Sequence, residues 1–393
     1  MKRVSITRFF LIIIIIFALL IGGAAAFIMI NPNVLGLLSS GDRITISTAD
    51  YEYLINTYNK YSKVEDVWKR LEKEFYTDVD EDALQIGMIK GLVAGTGDLY
   101  SGYYSEQEYE DLLVSLTGEY DGVGITMVQS EHGYIEVQAV TKDSPAEAGG
   151  VQIGEYITKV DGKAYTSDTM DAAAAAVRGK AGTNVKITFL SNGAEIERTF
   201  TRAHITSKTV EYSILDDNIA YIKISSFENS TTDDFKKALS AVGSADALIL
   251  DLRDNPGGLV DSAVDIADMF MDSATLVYTE DRDGNREYKK TKAGKAWNKN
   301  FVVLVNENSA SASEIFAAGI QDNDVAMLVG TTTFGKGIIQ ELEQFKDGDA
   351  LKLTKWQYFT PSGRQIHKAG VRPEIIVDDP EEQLTRAIEL VKQ

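Results

Sequence analysis

The chain has no cysteine, only three histidines and six prolines in 393 residues, and too little positive charge: 39 Lys and Arg stand against 59 Asp and Glu, for a net charge of −20. Each shortage excludes something. Without cysteine there is no disulfide framework, no zinc–thiolate site and no thiol nucleophile. The acidic balance removes nucleic acid and an anionic membrane surface as general partners, because both require clustered positive charge. No metal or cofactor is expected. Long hydrophobic runs are also missing, with one exception at the N-terminus.

That exception is residues 9–30, 22 uncharged and mostly apolar residues preceded by Lys2, Arg3 and Arg8. The length suits a helix crossing a bilayer core. The flanking charges would keep the N-terminus in the cytoplasm and place the rest outside. Small residues at Ala24, Ala25 and Ala26 admit a cleaved signal peptide. The apolar run continues past them through Met29, so the expectation is an uncleaved anchor.

Three textures follow. Residues 51–116 carry apolar positions at helical spacing, such as Val67, Leu71 and Phe75, and Ser105 with Glu108 three residues on signals a helix start. From Gly118, short alternating runs between glycines ("GVGITMV", "GYIEVQAV", "EYITKVDG", "NVKITFL", "EIERTF") read as a small β module with one helix near residues 170–177. From about Val210, apolar runs at residues 219–225, 247–252, 301–306 and 326–330 alternate with helical stretches, which predicts an α/β domain with a largely parallel sheet. Loops leaving the carboxyl ends of such strands gather on one edge. Three are unusual here: "RDNPGG", "ENSASASE" and "TTTFGKG".

The last of these resembles a phosphate-binding loop, with Gly330, Gly335 and Lys336 in place. Gly337 stands where the magnesium-binding Ser or Thr belongs, so the nucleotide reading fails. Lys336 can instead serve as the base for a serine, since a neutral amine accepts a hydroxyl proton and burial lowers its pKa. His132, His204 and His367 lie outside the three loops and offer no better base. Ser309, Ser311 and Ser313 are the candidate serines. Ser311 also fits a capping box with Glu314, a role compatible with catalysis at a helix N-terminus. "NPGG" would supply further bare N–H groups.

These motifs, in this order, resemble the C-terminal processing peptidases, or tail-specific proteases. They include "DLYSGYYSEQEYEDL", "GEYDGVGI", "DSPAEAGGVQIGEYITKVDGK", "LILDLRDNPGGLVDSAVDIADMF", "NENSASASEIFAAGIQD", "GTTTFGKGIIQ" and "YFTPSGRQIHKAGVRPEI". Asn308 and the "RPEI" ending depart from the family's usual residues without touching a catalytic position. Ahead of the matched region stand the expected cytoplasmic N-terminus (1–8), signal-anchor (9–30) and linker (31–50), and after it a C-terminal helix (380–393). The resemblance implies a helical region (51–116) and a PDZ domain (117–203) inserted before a serine protease core (204–379). It implies Ser311 as nucleophile, Lys336 as general base 25 positions on, and Gln340 as the group orienting the lysine. The backbone N–H of Ala312 and of Gly257, with Gly258 beside it, would form the oxyanion hole. Gly122, Val123, Gly124 and Ile125 match the loop that receives a chain's terminal carboxylate, and Arg178 sits where relatives have an arginine between PDZ ligand and core. The implied partners are protein or peptide substrates with apolar C-terminal tails, and the membrane through the N-terminal helix. The terminal segment either serves a homodimer, as in some relatives, or is a solvated end. A non-catalytic PDZ scaffold is the rival reading, against which Ser311, Lys336 and Gln340 stand intact.

Overall fold

The computed structural model describes residues 3–6 and 44–393, so the apolar stretch 9–30 lies outside the described residues. No helix among the described residues is long and apolar enough to cross a membrane. The chain divides into two compact units at Ile89 and Lys90.

In the first unit, strands Arg3–Ile6 and Ile44–Ser47 pair antiparallel. Helix Thr48–Glu74 follows, opened by Ser47, whose hydroxyl oxygen accepts the Asp50 N–H at 3.1 Å. Its expected apolar stripe stays largely in solvent, with Val67 and Phe75 both exposed. Helix Glu81–Ala94 begins in this unit.

The second unit holds both modules anticipated from periodicity. Helix Glu106–Thr117 starts at Ser105, where the Glu108 carboxylate accepts the Ser105 N–H at 2.9 Å. All five alternating runs become strands of one antiparallel sheet, ordered Ala194–Thr201, Asn184–Ser191, Tyr156–Val160, Ile135–Val140, Ile125–Gln129. Val137, Ile157, Ile187 and Phe189 fill its core beneath helix Met170–Val177. Chain entry and exit run side by side, with Glu119–Gly122 pairing Ala203–Thr206.

The larger domain is built on a six-stranded sheet in the order Val210–Leu215, Ile219–Ile224, Ala247–Asp251, Phe301–Val305, Met327–Gly330, Ile375–Ile376. Only the first pairing is antiparallel. Central strands Ala247–Asp251 and Phe301–Val305 are buried at every position, as expected of strands covered on both faces. Helices Thr231–Ala241, Val260–Ala267 and Ala312–Asp322 share one core. On a second core, Ala387, Leu390 and Val391 of helix Pro380–Val391 join Ile249, Val302 and Leu304 of the sheet. That helix therefore commits its apolar face within the chain.

A second sheet was not anticipated. Arg286–Lys290, Thr275–Asp281, Ala350–Phe359 and Ile338–Gln344 form an antiparallel layer, and Gly102–Tyr104, within the stretch read as helical, pairs with Ala350–Phe359.

Candidate active site

Because the strands before them are parallel and adjacent, the three unusual loops do meet. The Ala310 N–H donates to Asn255 O at 3.0 Å, and the Phe334 N–H to Ser309 O at 3.0 Å. Asn255, fully buried, donates its side-chain amide to Ile224 O and its own carbonyl accepts the Ser313 hydroxyl at 2.9 Å. The fold thereby distinguishes the three serines. Ser309 and Ser313 are fully buried with their hydroxyls donating to Leu252 O and Asn255 O, whereas Ser311 is half-buried at the turn into the helix.

Ser311 has φ 55° and ψ −113°, a conformation L residues rarely hold. Four hydrogen bonds over-determine it. Its N–H donates to Glu314 Oε2 at 2.9 Å, its carbonyl accepts from Glu314 and Ile315, and the Tyr358 hydroxyl donates to that carbonyl at 3.2 Å. Glu314, read from sequence as a local cap, does more. Its fully buried carboxylate also accepts from Thr333 Oγ1 (2.6 Å), the Gly335 N–H (2.7 Å) and the Lys336 N–H (2.8 Å). One side chain thus fastens the Ser311 turn to the Lys336 loop, with charge-assisted bonds at every end.

The glycine pair does not divide its duties as expected. The Gly257 N–H donates to Asn255 Oδ1 at 2.9 Å and so is already engaged. Gly258 bridges Phe227 in a register that uses its neighbours' polar groups, since Phe227 N–H donates to Gly257 O and Leu259 N–H to Phe227 O. The N–H groups of Gly258 and of Ala312 have no hydrogen-bond partner among the described residues. Gly257 is required for space: a Cβ there would stand 2.6 Å from Ala310 O, 2.8 Å from Ser311 Cβ and 2.9 Å from Ala312 N.

Lys336 is half-buried. Burial holds its amine below the ordinary lysine range, helped by the Lys352 charge and opposed by Glu314 and Asp98. Its Nζ lies 5.1 Å from the centre of the Tyr100 ring, and among the described residues no hydrogen bond joins it to Ser311. Gln340, expected to orient the lysine, donates from Nε2 to Thr354 Oγ1 at 3.1 Å instead. The reason is local: Gln340 sits on strand Ile338–Gln344 just after a register shift, so the four-residue spacing does not bring it back as a helical turn would. His367 remains outside the constellation, although its backbone packs behind Gly337. A cleft of about 710 Å³ is lined by Leu259 and Ile339, the chain neighbours of Gly258 and Gln340, and by charged residues such as Asp233, Lys236 and Asp265.

Comparison with known proteins identifies both modules of the second unit. The model of peptidase family S41 matches residues 218–377, and a PDZ domain model matches residues 136–191. Carboxy-terminal processing protease CtpA of Bacillus subtilis strain 168 is 32% identical over 90% of this chain and 74% of its own length. The chain belongs to peptidase family S41. A probable CtpA-like serine protease of Staphylococcus haemolyticus strain JCSC1435 is 36% identical over 82% of this chain, and the alignment spans 65% of that relative. Among solved structures, photosystem II D1 C-terminal processing protease matches with a TM-score of 0.50 and 26% identity, covering 84% of this chain and 92% of that one. The S41 peptidase chain is thus a serine protease by family, with a PDZ domain.

In that domain, Gly122, Val123, Gly124 and Ile125 are all buried. The Val123 and Gly124 carbonyls accept from Ala146 and Thr141, while their N–H groups have no partner among the described residues. Gly124 has φ 84°, and a Cβ there would meet Ser144 Cβ at 2.3 Å, so only glycine closes this turn. Strand Ile125–Gln129 is the sheet's last member, with helix Met170–Val177 beside it. Arg178 caps that helix and pairs with Asp111 on helix Glu106–Thr117.

The crowding at Gly257 has a measurable consequence. Gly257→Ala is expected to cost about 1–3 kcal/mol of stability through overpacking. Peptide cleavage is expected to fall about 10²-fold, because Ser311 and Ala312 must move to admit the methyl group. Thermal unfolding and turnover of an unstructured peptide measure the two effects. Unchanged turnover would show that this contact does not set the position of Ser311.

Proposed function

We propose that the chain is a membrane-anchored, extracytoplasmic endopeptidase that takes substrate C-terminal tails in its PDZ domain and cleaves by a Ser311–Lys336 acyl-enzyme mechanism with Gln340 as orienting group. The observation that carries this reading is the fastening of the Ser311 turn to the Lys336 loop by Glu314, beside two unengaged N–H groups. In the reaction, the neutral Lys336 amine takes the Ser311 proton as Oγ attacks the scissile carbonyl carbon. The N–H groups of Ala312 and Gly258 receive the developing oxyanion. The resulting ammonium protonates the leaving amine, and water releases the acyl group by the same path in reverse. Gln340 would have to leave Thr354 to orient the lysine.

The anchor rests on residues 9–30 and the basic residues before them. A bilayer-spanning segment would separate Arg3–Ile6 from Ile44–Ser47, so the anchored form requires that pairing to be open. A homodimer built on helix Pro380–Val391 would have to use its outer face, because Ala387, Leu390 and Val391 are committed to the core. Arg178 is a candidate link between PDZ ligand and core through Asp111.

Tail recognition is supported by the two open N–H groups at Val123 and Gly124, which suit a terminal carboxylate, and by the free edge of Ile125–Gln129, which suits an added strand. A substrate with a free C-terminal carboxylate is expected to be cut several-fold faster than its C-terminal amide, because the amide lacks the charge. Competition kinetics on the paired peptides test this. Equal rates would show that cleavage does not depend on reading the tail.

A further inference from the structure

Lys336 rests on an aromatic ring that the reaction does not need. Its Nζ is 5.1 Å from the centre of Tyr100, within reach of a cation–π attraction that acts on the ammonium and not on the neutral amine. The ring is held in place by its neighbours. The Asp98 carboxylate accepts the Tyr100 N–H (3.1 Å), the Ser101 N–H (3.1 Å) and the Ser101 hydroxyl (2.6 Å). Ser101 Oγ in turn accepts the Thr354 N–H at 3.0 Å, and Gly102–Tyr104 adds to the edge of strand Ala350–Phe359. Thr354 is also the residue that holds Gln340. The strand that seats the tyrosine therefore restrains the orienting glutamine as well.

We propose that Tyr100 is a positioning residue that seats the charged form of Lys336 away from Ser311 and releases the neutral amine toward it. This deepens the reading of Lys336 as the base and rests on it. The ring ties position to protonation: the ammonium is attracted to the Tyr100 face, whereas the neutral amine is free to reach the serine hydroxyl. The other groups that act on the amine are Lys352, on the Thr354 strand, which favours the neutral form, and Glu314 and Asp98, which favour the ammonium. Tyr358, bonded to Ser311 O, faces the same turn.

The test is the pH dependence of kcat and kcat/KM for the full chain on an unstructured peptide, for wild type and for Tyr100→Phe, Tyr100→Leu and Tyr100→Trp, each checked by thermal unfolding. Tyr100→Phe keeps the face and should keep the wild-type profile. Tyr100→Leu removes it, so the rising limb should move to lower pH by about 0.5–1 unit. Tyr100→Trp presents a more attractive face and should move the limb to higher pH, a comparison that stands even if the leucine variant fails to fold. Coincident phenylalanine and leucine profiles, or a tryptophan limb at or below that of wild type, would overturn the proposal. Turnover by Lys336→Ala would instead overturn the base assignment itself, whereas an inactive Lys336→Ala beside an unshifted Tyr100→Leu removes only the seat.

Discussion

Ser311→Asn and Ser311→Ala are both expected to fold and to cleave nothing, with turnover reduced by a factor on the order of 10⁴ or more. A nucleophile must attack through a hydroxyl, and neither replacement has one. The fold should survive because the turn is held through the backbone. The Ser311 N–H reaches Glu314, the Ser313 N–H reaches Ala310 O, and the Tyr358 hydroxyl reaches Ser311 O. Loss of a cap contribution limits the alanine variant's cost to about 0.5–2 kcal/mol, while asparagine can still cap. Glycine relieves the strain of φ 55° altogether, so Ser311→Gly should be equally inactive and no less stable than Ser311→Ala. Ser309→Ala and Ser313→Ala should show the opposite pattern. Each removes a buried hydroxyl that braces a loop, lowering stability while leaving measurable turnover. If Ser311→Asn cleaved peptide and a neighbour's alanine variant did not, the nucleophile would lie at that neighbour.

The readable parts of this chain are those whose signal is local. Buried parallel strands announce themselves as apolar runs, and Ala247–Asp251 and Phe301–Val305 fall where the runs stand. The Ser105 helix start is a four-residue pattern and is found as written. From parallel strands the meeting of three loops follows by topology alone. The second sheet is different. Its strands Thr275–Asp281 and Arg286–Lys290 are partly exposed and mix charged with apolar residues, and Gly102–Tyr104 joins a strand some 250 residues away, a pairing no local periodicity encodes.

The same limit applies inside the site. The resemblance favours Gly257 over Gly258 as the oxyanion donor, but only the placement of the Asn255 side chain decides which N–H is engaged. Glu314 is visible as the fourth residue of a helix-start pattern, but its bonds to Thr333, Gly335 and Lys336 depend on the loops having already met. The resemblance implies Gln340 as the group that orients the lysine, but its side chain lies on a strand and donates to Thr354, a placement that four-residue spacing does not reveal. Tyr100 carried no signal beyond lying in a family-like motif, since its relation to Lys336 arises across the unanticipated sheet.

Lys336→Ala is expected to reduce turnover about as far as loss of the serine, with little change in unfolding temperature, because the loop is fastened through the Lys336 backbone N–H and not through its amine. Lys336→Arg should be nearly as inactive: a guanidinium keeps its proton throughout the working range. The pH dependence carries a definite sign. A lysine acts as base in its neutral form, so activity is present above its pKa and lost as pH falls through it. Burial and Lys352 both depress that pKa, which brings the rising limb below the ordinary lysine range. Removing the neighbouring charge in Lys352→Met should let the ammonium persist and move the limb to higher pH. Asp98→Asn removes a charge that favours the ammonium and should move it the other way, provided the 98–104 segment keeps its bonds to the Ala350–Phe359 strand. The two variants differ in sign while neither touches Ser311, so opposed shifts identify Lys336 as the titrating base. A rate that is flat from about pH 5 to 9 in wild type, or shifts of the same sign in both variants, would mean that some other group takes the serine proton.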